Sequence, residues 1–486
     1  MANPLLFRSL LRDVPLANAS NQQGAAAFAF TPRHKLAQMV MTGCMNETFY
    51  ASGQAQLNDV LATAKDLDDL FLAQLAIYGR ERGMMKDMPA LLTAILAARG
   101  SALLPVVFAR VINNGRMLRN FVQILRSGVT GRRSLGTRPK KLVQRWLQNA
   151  SEERLLQASV GNAPSLADIV KMVHPRPQAA WQEAFFAWLI GKPCDKTQLP
   201  EKTRALLAFR EGDMGAALPD VPFLLLTNAP LSREQWAQLA QRLADRAQVR
   251  QSWVYPYQLL SAWSNLQCSV PQVIREALAQ AMEYALENIP PFRGNVVVCP
   301  DVSGSMKSSI TGYRKGATSK IRCVDVAGLI AAAVLRNHPQ ARVLPFECDV
   351  VDVRLDARQS VMHNAQKLAA VGGGGTNCSA PLRRLLNERA RVDLVIMVSD
   401  NESWVDKSRH GSTATMECWI ELKKRNPQAR LVCIDLLPYG TTQAAERSDI
   451  LNVGGFSDEV FTVIDNFVNG HYGSAHWLEE IEAVTL

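Results

Sequence analysis

The feature that most constrains this chain is a change of hydrophobic period at Pro290-Pro291. Before that pair, apolar residues recur at helical spacing. After it, short apolar runs alternate with helical stretches. Met88, Leu91, Leu92, Ile95 and Leu96 fall at i, i+3, i+4, i+7 and i+8, one stripe of a helix. Leu166, Ile169, Val170 and Val173 repeat the pattern, as do Trp181, Phe185, Trp188 and Leu189. Further helical runs lie near 67–80, 116–126, 138–148, 232–248 and 270–288. From about residue 36 to 286 the expectation is a helix bundle or an α-solenoid, although no strict sequence period is present. The Met, Trp and Phe stripes read as core, with no cofactor assigned to them.

Past the prolines, strands are expected at 295–299, 342–346, 392–398, 430–436 and 459–464. Helices are expected at 321–336, 361–370, 378–389 and 414–424. Such alternation implies a doubly wound α/β sheet, whose ligand site lies at the carboxyl ends of the strands. The expected domains are 1–290, helical, and 291–486, α/β; residues 1–30 carry no assignment. No apolar run approaches the ~20 residues that a membrane span needs. Arg8, Arg12 and Asp13 interrupt the Leu-rich start, which makes a poor signal peptide. Nine cysteines, an odd number with no Cys-x-x-Cys pair, argue for reduced thiols and a cytoplasmic location.

The net charge of +10 becomes informative once it is located. Residues 1–290 carry 32 basic and 22 acidic side chains, and residues 291–486 carry 22 of each. Within 101–150 there are ten basic residues and no acid. A mixed-sign run would be an ordinary solvated helix face. A fifty-residue window of one sign repels itself unless a polyanion neutralises it, with nucleic acid ahead of an acidic membrane surface as the partner. In 116–126, Met117, Leu118, Phe121, Val122 and Leu125 point inward and leave Arg116, Arg119 and Arg126 outside. In 138–147, Leu142, Val143, Trp146 and Leu147 form the buried set, opposite Arg138, Lys141 and Arg145. Between the two helices runs the turn Ser127-Gly128-Val129-Thr130-Gly131-Arg132-Arg133, whose amides could also meet phosphate. Few aromatics accompany these cations, so recognition of backbone, shape and free ends is expected over recognition of sequence. Neutralising roughly six phosphates of a single strand gives a log–log salt slope of about −4.

A second signal sits at the predicted sheet edge. One strand ends in Asp301-Val302-Ser303-Gly304-Ser305 and a later one in Ser399-Asp400-Asn401, while the loop Gly372-Gly373-Gly374-Gly375 delivers Thr376. These residues could serve simply as loop and capping residues. Together, Asp301, Ser303, Ser305, Thr376 and Asp400 make an all-oxygen set suited to a hard octahedral cation, Mg²⁺ or Mn²⁺. Two carboxylates only neutralise such an ion, so weak binding and an open position for an external oxygen are expected. The glycine run is no phosphate loop, because Thr376-Asn377 follows it where that motif needs Lys.

The second part resembles a von Willebrand factor A domain, in which Asp301, Ser303, Ser305, Thr376 and Asp400 match the metal-ion-dependent adhesion site. The first part resembles the TROVE module of the Ro ribonucleoprotein family, in its bacterial form. The segments that carry this are 42–50, 131–146 and 166–175, and 375–382 is similar to the Ro version of the A domain. Residues 45–47, Met-Asn-Glu, stand where the family has a glycine pair. The resemblance implies a monomeric ring of HEAT-like helical repeats closed by the A domain. It implies Y-like non-coding RNA bound on a basic outer surface. It also implies single-stranded 3′ ends of misfolded or ribosomal RNA in the central hole, and an association with polynucleotide phosphorylase. Arg132, Lys140, Lys141, Lys171 and His174 are the RNA-contacting positions that carry over. With Arg116, Arg119, Arg126, Arg133, Arg138 and Arg145 they form the expected RNA site.

The leading expectation is a non-catalytic RNA-binding scaffold in RNA quality control, maturation or decay. The alternative is an adhesion-type module whose metal captures an acidic protein partner. A nuclease fits poorly, because no paired-metal carboxylate cluster, Gly-x-Ser-x-Gly or His-Glu-x-x-His motif is present.

Overall fold

The computed structural model describes residues 14–43, 45–159, 161, 164–210, 231–251, 254, 256–266, 270–313, 321–406, 408, 411–457, 459–471 and 477–486. Packing divides the chain into two units. One joins Met1–Leu67 to Gln238–Ala483, and the other is Asp68–Ala237 with Val484–Leu486. The boundary expected at 290/291 therefore marks a change of secondary-structure pattern rather than a seam between packed bodies.

The first unit opens with a hairpin of β1 (Ala19–Ser20) and β2 (Ala26–Ala29), then α1 (Pro32–Thr42) and α2 (Gly53–Lys65). Thr31 caps α1 by accepting the His34 amide, and Pro32 fills its first position, where no donor is needed. The main sheet follows: β3 (Val296–Pro300), β4 (Arg342–Val343), β5 (Leu394–Ser399) and β6 (Arg430–Asp435), then β7 (Thr441–Thr442) outside it and β8 (Ile450–Gly454). Its order is β4-β3-β5-β6-β8 with every pair parallel. Strands β3, β5 and β8 are buried at every residue, as a sheet covered on both faces requires. Alternate side chains serve opposite faces. Val297, Cys299, Val395 and Met397 join Leu382 and Trp419 in one core cluster, from helices Ala380–Asn387 and Ala414–Arg425. Helix Cys323–Asn337 packs on β3, β4 and β5, and helix Glu459–Val468 on β6 and β8.

Two expectations are corrected in this unit. Residues 459–464, read as a strand, begin a helix. Val460, Val463, Ile464 and Phe467 lie at i, i+3, i+4 and i+7 and are buried together. The fifth strand is β8 instead, and the 342–346 strand shrinks to two residues. The parts before residue 291 are integral to the unit. Strand β2 pairs antiparallel with β7, and Phe28 enters the sheet's core cluster. Helix α1 packs on β8 so closely that a Cβ on Gly454 would lie 2.0 Å from Gln38 Oε1. The Val361 amide donates to Glu283 Oε1 at 2.8 Å, joining helix Gln272–Ala285 to helix Val361–Ala369.

The second unit is helical: α3 (Asp69–Glu81), α4 (Asp87–Arg99), α5 (Leu104–Val111), α6 (Gly115–Ser127), α7 (Thr137–Asn149), α8 (Glu152–Ala158), α9 (Leu166–Val173), α10 (Ala180–Leu189) and α11 (Glu201–Arg210). Helix α4 is buried at every residue from Met88 to Ala97, and α3, α5 and α6 pack around it. Met117, Leu118, Phe121, Val122 and Leu125 are the buried face of α6, as their spacing implies. Burying a side chain such as Phe121 contributes about 2–3 kcal/mol. Helix α7 buries Pro139, Val143, Trp146 and Leu147, while Leu142 at the stripe's edge is only half-buried. Gly115 sets the approach of α6 to α8, since a Cβ there would fall 2.3 Å from that of Ala158. Gly128, at φ 90°, ends α6 in the left-handed conformation and starts the turn toward α7.

Candidate metal centre and nucleic-acid interface

The metal-site residues are brought together by backbone pairing at the sheet's carboxyl edge. The Asp301 amide donates to Val398 O at 2.9 Å, so β3 and β5 release their chains side by side. The Gly304 amide donates to Gly374 O at 2.8 Å, which draws the glycine loop against the first turn. Thr376 O accepts the Trp404 and Val405 amides at 3.1 and 3.2 Å, pinning Thr376 to the loop that follows Asp400. All five side chains are buried. Asp301 accepts the Ser303 amide at 2.8 Å and the Ser399 hydroxyl at 2.6 Å. The hydroxyls of Ser303 and Ser305 lie 3.3 Å apart.

Asp400 Oδ2 is buried without a hydrogen-bond partner, and neither Asp301 nor Asp400 has an ion-pair partner among the described residues. Burial, then the neighbouring Asp400 charge, pushes the Asp301 carboxyl up to about 7; burial also raises Asp400. No three His, Cys, Asp or Glu side chains gather as a ligand set among the described residues. A cation here would rest on two carboxylates and three hydroxyls, the donor chemistry of a hard divalent ion. The orphaned Asp400 oxygen and the clustered serine hydroxyls fit that ion.

Several residues beside this centre escaped the sequence reading. Glu402 is buried, with Oε1 unpartnered and Oε2 accepting the Gln22 amide at 2.8 Å. Burial and Asp400 push its carboxyl up to about 8, and burial also raises Asp435 at the end of β6. Burial, then the Asp400 charge, pushes the Tyr50 phenol up to about 12. Glu402 stands two places after Asp400, an expected ligand, which is a local signal. Tyr50 and Gln22 come from the other end of the chain, and no spacing could connect them.

In the helical unit the eleven expected RNA residues divide by what they already hold. Arg119 donates to Ala158 O at 2.7 Å. Arg138 donates to the carbonyls of Gly100, Ser101 and Ala102 at 3.0–3.3 Å, just past the end of α4. These two guanidiniums are committed to the fold. Arg116, Arg126, Arg132, Arg133, Lys140, Lys141, Arg145, Lys171 and His174 hold no ion pair or side-chain hydrogen bond among the described residues, and all but the half-exposed Lys140 are exposed. Gln144 donates to Val173 O at 2.6 Å, which sets His174 beside the turn of α7 carrying Lys140, Lys141 and Arg145. His174 caps α9 at φ 52°, left-handed, and so ends the helix one turn after Lys171.

The tenth basic residue of the window is neutralised. Arg110 is paired through two hydrogen bonds with Glu81, at 2.8 and 2.6 Å. The turn after α6 spends its amides of Val129 and Gly131 internally, on Ser127 Oγ and Gly128 O, which leaves less of it for phosphate. Arg80 and Lys86, outside the window, gather with Arg116. Burial first, and then the Arg116 charge, lowers both below their ordinary values. Trp146 is unavailable for base stacking: its Nε1 donates to Ile112 O at 2.6 Å and Arg154 lies 5.0 Å over its ring.

Residues 295–468 match the family model described as the Ro60 vWA domain. The chain is 24% identical over 241 residues to the RNA-binding protein RO60 of Deinococcus radiodurans, covering 47% of this chain and 44% of that one. It is 22% identical over 246 residues to the protein of the same name from Caenorhabditis elegans, covering 48% and 36%. The matched region thus spans less than half the length of these curated relatives. The crystal structure of Deinococcus radiodurans RO (RSR) protein superposes with a TM-score of 0.56 at 20% identity, over 91% of this chain and all of that one. A helix-rich first part followed by a parallel-sheet second part is accordingly the fold of the Ro protein, and residues 295–468 are similar to the Ro60 von Willebrand factor A domain.

Proposed function

We propose that the protein is a non-catalytic RNA-binding protein of the Ro type. The observation that carries this reading is the set of unpaired cations on α6, α7, α9 and the intervening turn. Their position on a rigid helical face suits phosphate contact. Similarity to two proteins named RNA-binding protein RO60 supports RNA as the polyanion and binding rather than catalysis as the activity. The finer reading takes Y-like RNA on this basic face and single-stranded 3′ ends in the hole of a HEAT-like ring. The protein then scaffolds RNA maturation or decay in the cytoplasm, with polynucleotide phosphorylase as the class of partner enzyme.

Mg²⁺ or Mn²⁺ would be held by Asp301, Ser303, Ser305, Thr376 and Asp400. When bound, it matches the charge of the two carboxylates and locks three strand-end loops together. The adhesion-type alternative makes this centre the functional surface instead. One experiment separates the two: replace Lys140, Lys141 and Arg145 together by alanine and measure RNA affinity against salt. Loss of affinity with a flatter salt slope supports the RNA reading, whereas unchanged affinity overturns it.

A further inference from the structure

At the carboxyl end of the main sheet one row of residues crosses the strands in register. Asp435 on β6 pairs with Ser399 on β5 and with Gly454 on β8. Parallel strands in register present these side chains to one face, with neighbouring strands about 4.8 Å apart. It is the face of Asp301, because the Ser399 hydroxyl donates to Asp301 Oδ2 at 2.6 Å. Ser399 also accepts the Asn401 amide at 3.0 Å, and with its one proton given away it has no donor left for Asp435. On the other flank Gly454 has no side chain, and Gln38 of α1 fills the space. Its Oε1 lies 2.0 Å from where a Cβ on Gly454 would be. The Gln38 amide is oriented from behind: His34 Nδ1 is paired with Glu446, and Gln38 Nε2 meets His34 Nε2 at 3.5 Å. A proton held on Nδ1 by the carboxylate makes Nε2 an acceptor, which turns the amide nitrogen to His34 and the amide oxygen to the sheet. Asp435 Oδ1 and Gln38 Oε1 are thus two buried oxygens, one strand apart on one face, each without a hydrogen-bond partner among the described residues.

We propose that Asp435 Oδ1 and Gln38 Oε1 hold a monovalent cation, Na⁺ or K⁺, at a position separate from the one formed by Asp301, Ser303, Ser305, Thr376 and Asp400. Two buried acceptors side by side need something positive between them. A water would give each oxygen a donor but leave the Asp435 charge buried and unmatched. A proton would match that charge only by keeping a carboxyl neutral above its ordinary range. A small cation meets both needs. The carboxylate and the neutral amide oxygen carry one negative charge, which a monovalent ion balances and a divalent ion overshoots. Bound there, the ion ties α1 to the ends of β6 and β8, which gives the helix before the sheet a task at its edge.

The test unfolds the full chain, freed of divalent ions by chelator, in NaCl, KCl or choline chloride at equal ionic strength. Above the Kd, each tenfold rise in Na⁺ or K⁺ should favour the folded state tenfold, with choline making up the balance. The ion with the greater effect is the occupant. Asp435→Asn should abolish the dependence. Its amide can donate to Gln38 Oε1, so in choline chloride the variant is expected to melt above the wild type. Tl⁺, a stand-in for K⁺, should give a bound thallium resonance in the wild type, a signal that does not depend on the variant folding. Adding Mg²⁺ back should leave the monovalent response in place, because the two positions are separate. A wild type indifferent to Na⁺ and K⁺ means that a water or a proton fills the gap, and overturns the proposal. An equal response in Asp435→Asn, no bound Tl⁺, or loss of the response in Mg²⁺ overturns it too.

Discussion

Removing Lys140, Lys141 and Arg145 together isolates the electrostatic part of RNA binding from the part these residues play in folding. None of the three holds a protein partner among the described residues, and Lys141 and Arg145 are exposed on the side of α7 opposite Val143 and Trp146. Each phosphate neutralised on a single strand contributes about 0.7 to the log–log salt slope. Losing three contacts should flatten that slope by about 2. Near 0.15 M salt it should weaken binding roughly fifty-fold, or about 2.3 kcal/mol. Arg138→Ala is the informative control, because the same helix carries it and a sequence reading groups it with the other three. Its guanidinium reaches three carbonyls beyond α4, so its loss should cost about 1 kcal/mol of stability and leave the slope unchanged. Fluorescence anisotropy over a salt series, with urea denaturation of each variant alongside, measures both quantities. If the triple variant keeps the wild-type slope, or if Arg138→Ala alone reproduces the triple variant, the division between phosphate-facing and fold-holding cations is wrong.

Four further outcomes are expected. Mn²⁺ at ten times its Kd should stabilise the wild type by about 1.4 kcal/mol, and the gain should vanish in Asp400→Asn; a thermal melt with and without chelator checks it. His338 accepts the Phe292 amide on Nε2 at 2.7 Å, and burial lowers its pKa below 6.5. The unfolded chain therefore binds a proton here before the folded one does, so stability should fall as pH drops through 6.5, and His338→Gln should flatten that part of the urea-midpoint profile. Trp146→Phe removes the bond to Ile112 O and leaves a buried carbonyl unpaired, a loss of about 1–3 kcal/mol with no change in RNA salt slope. A fragment of residues 291–486 alone should fail to unfold cooperatively, because it lacks Phe28 in the sheet's core and α1 on β8; calorimetry decides.

The inner strands were legible because strands buried on both faces must be apolar throughout, and Val296–Cys299 and Leu394–Val398 are. Strand β8 was not, because Asn452 interrupts its apolar run. In the fold that amide is satisfied, with Oδ1 accepting from Thr442 Oγ1 at 3.0 Å and Nδ2 donating to Ala444 O at 3.0 Å, so a polar residue sits in a buried strand without penalty. The run at 459–464 misled for the opposite reason: it is short and mostly apolar, and Phe467 beyond it is what extends the i, i+3, i+4 spacing of Val460, Val463 and Ile464 to a second turn. The metal-site residues were legible because the chain supplies them as compact local patterns at strand ends. Glu402, two places after Asp400, carried a local signal that went unread, whereas Tyr50 and Gln22 join them only through tertiary packing. Arg119 and Arg138 carry no sequence mark that separates them from their exposed neighbours, since a carbonyl and a phosphate oxygen draw the same guanidinium to the same helix face.

Among the described residues, charge is left unmatched on the helical unit and at the sheet edge, and the two differ in kind. On the helical unit the surplus is exposed, distributed along helix faces and almost all basic, so it costs the fold little and matches a partner that is extended and anionic. At the sheet edge the surplus is acidic and buried, and Asp400 Oδ2, Glu402 Oε1 and Asp435 Oδ1 each lack a hydrogen-bond partner. Burying such groups costs several kcal/mol unless something compensates them. A polyanion cannot compensate them and a small cation can. The same argument that would put RNA on Lys140, Lys141 and Arg145 would keep it away from Asp301 and Asp400, so Asp301→Ala should abolish divalent cation binding while leaving the RNA salt slope where it was.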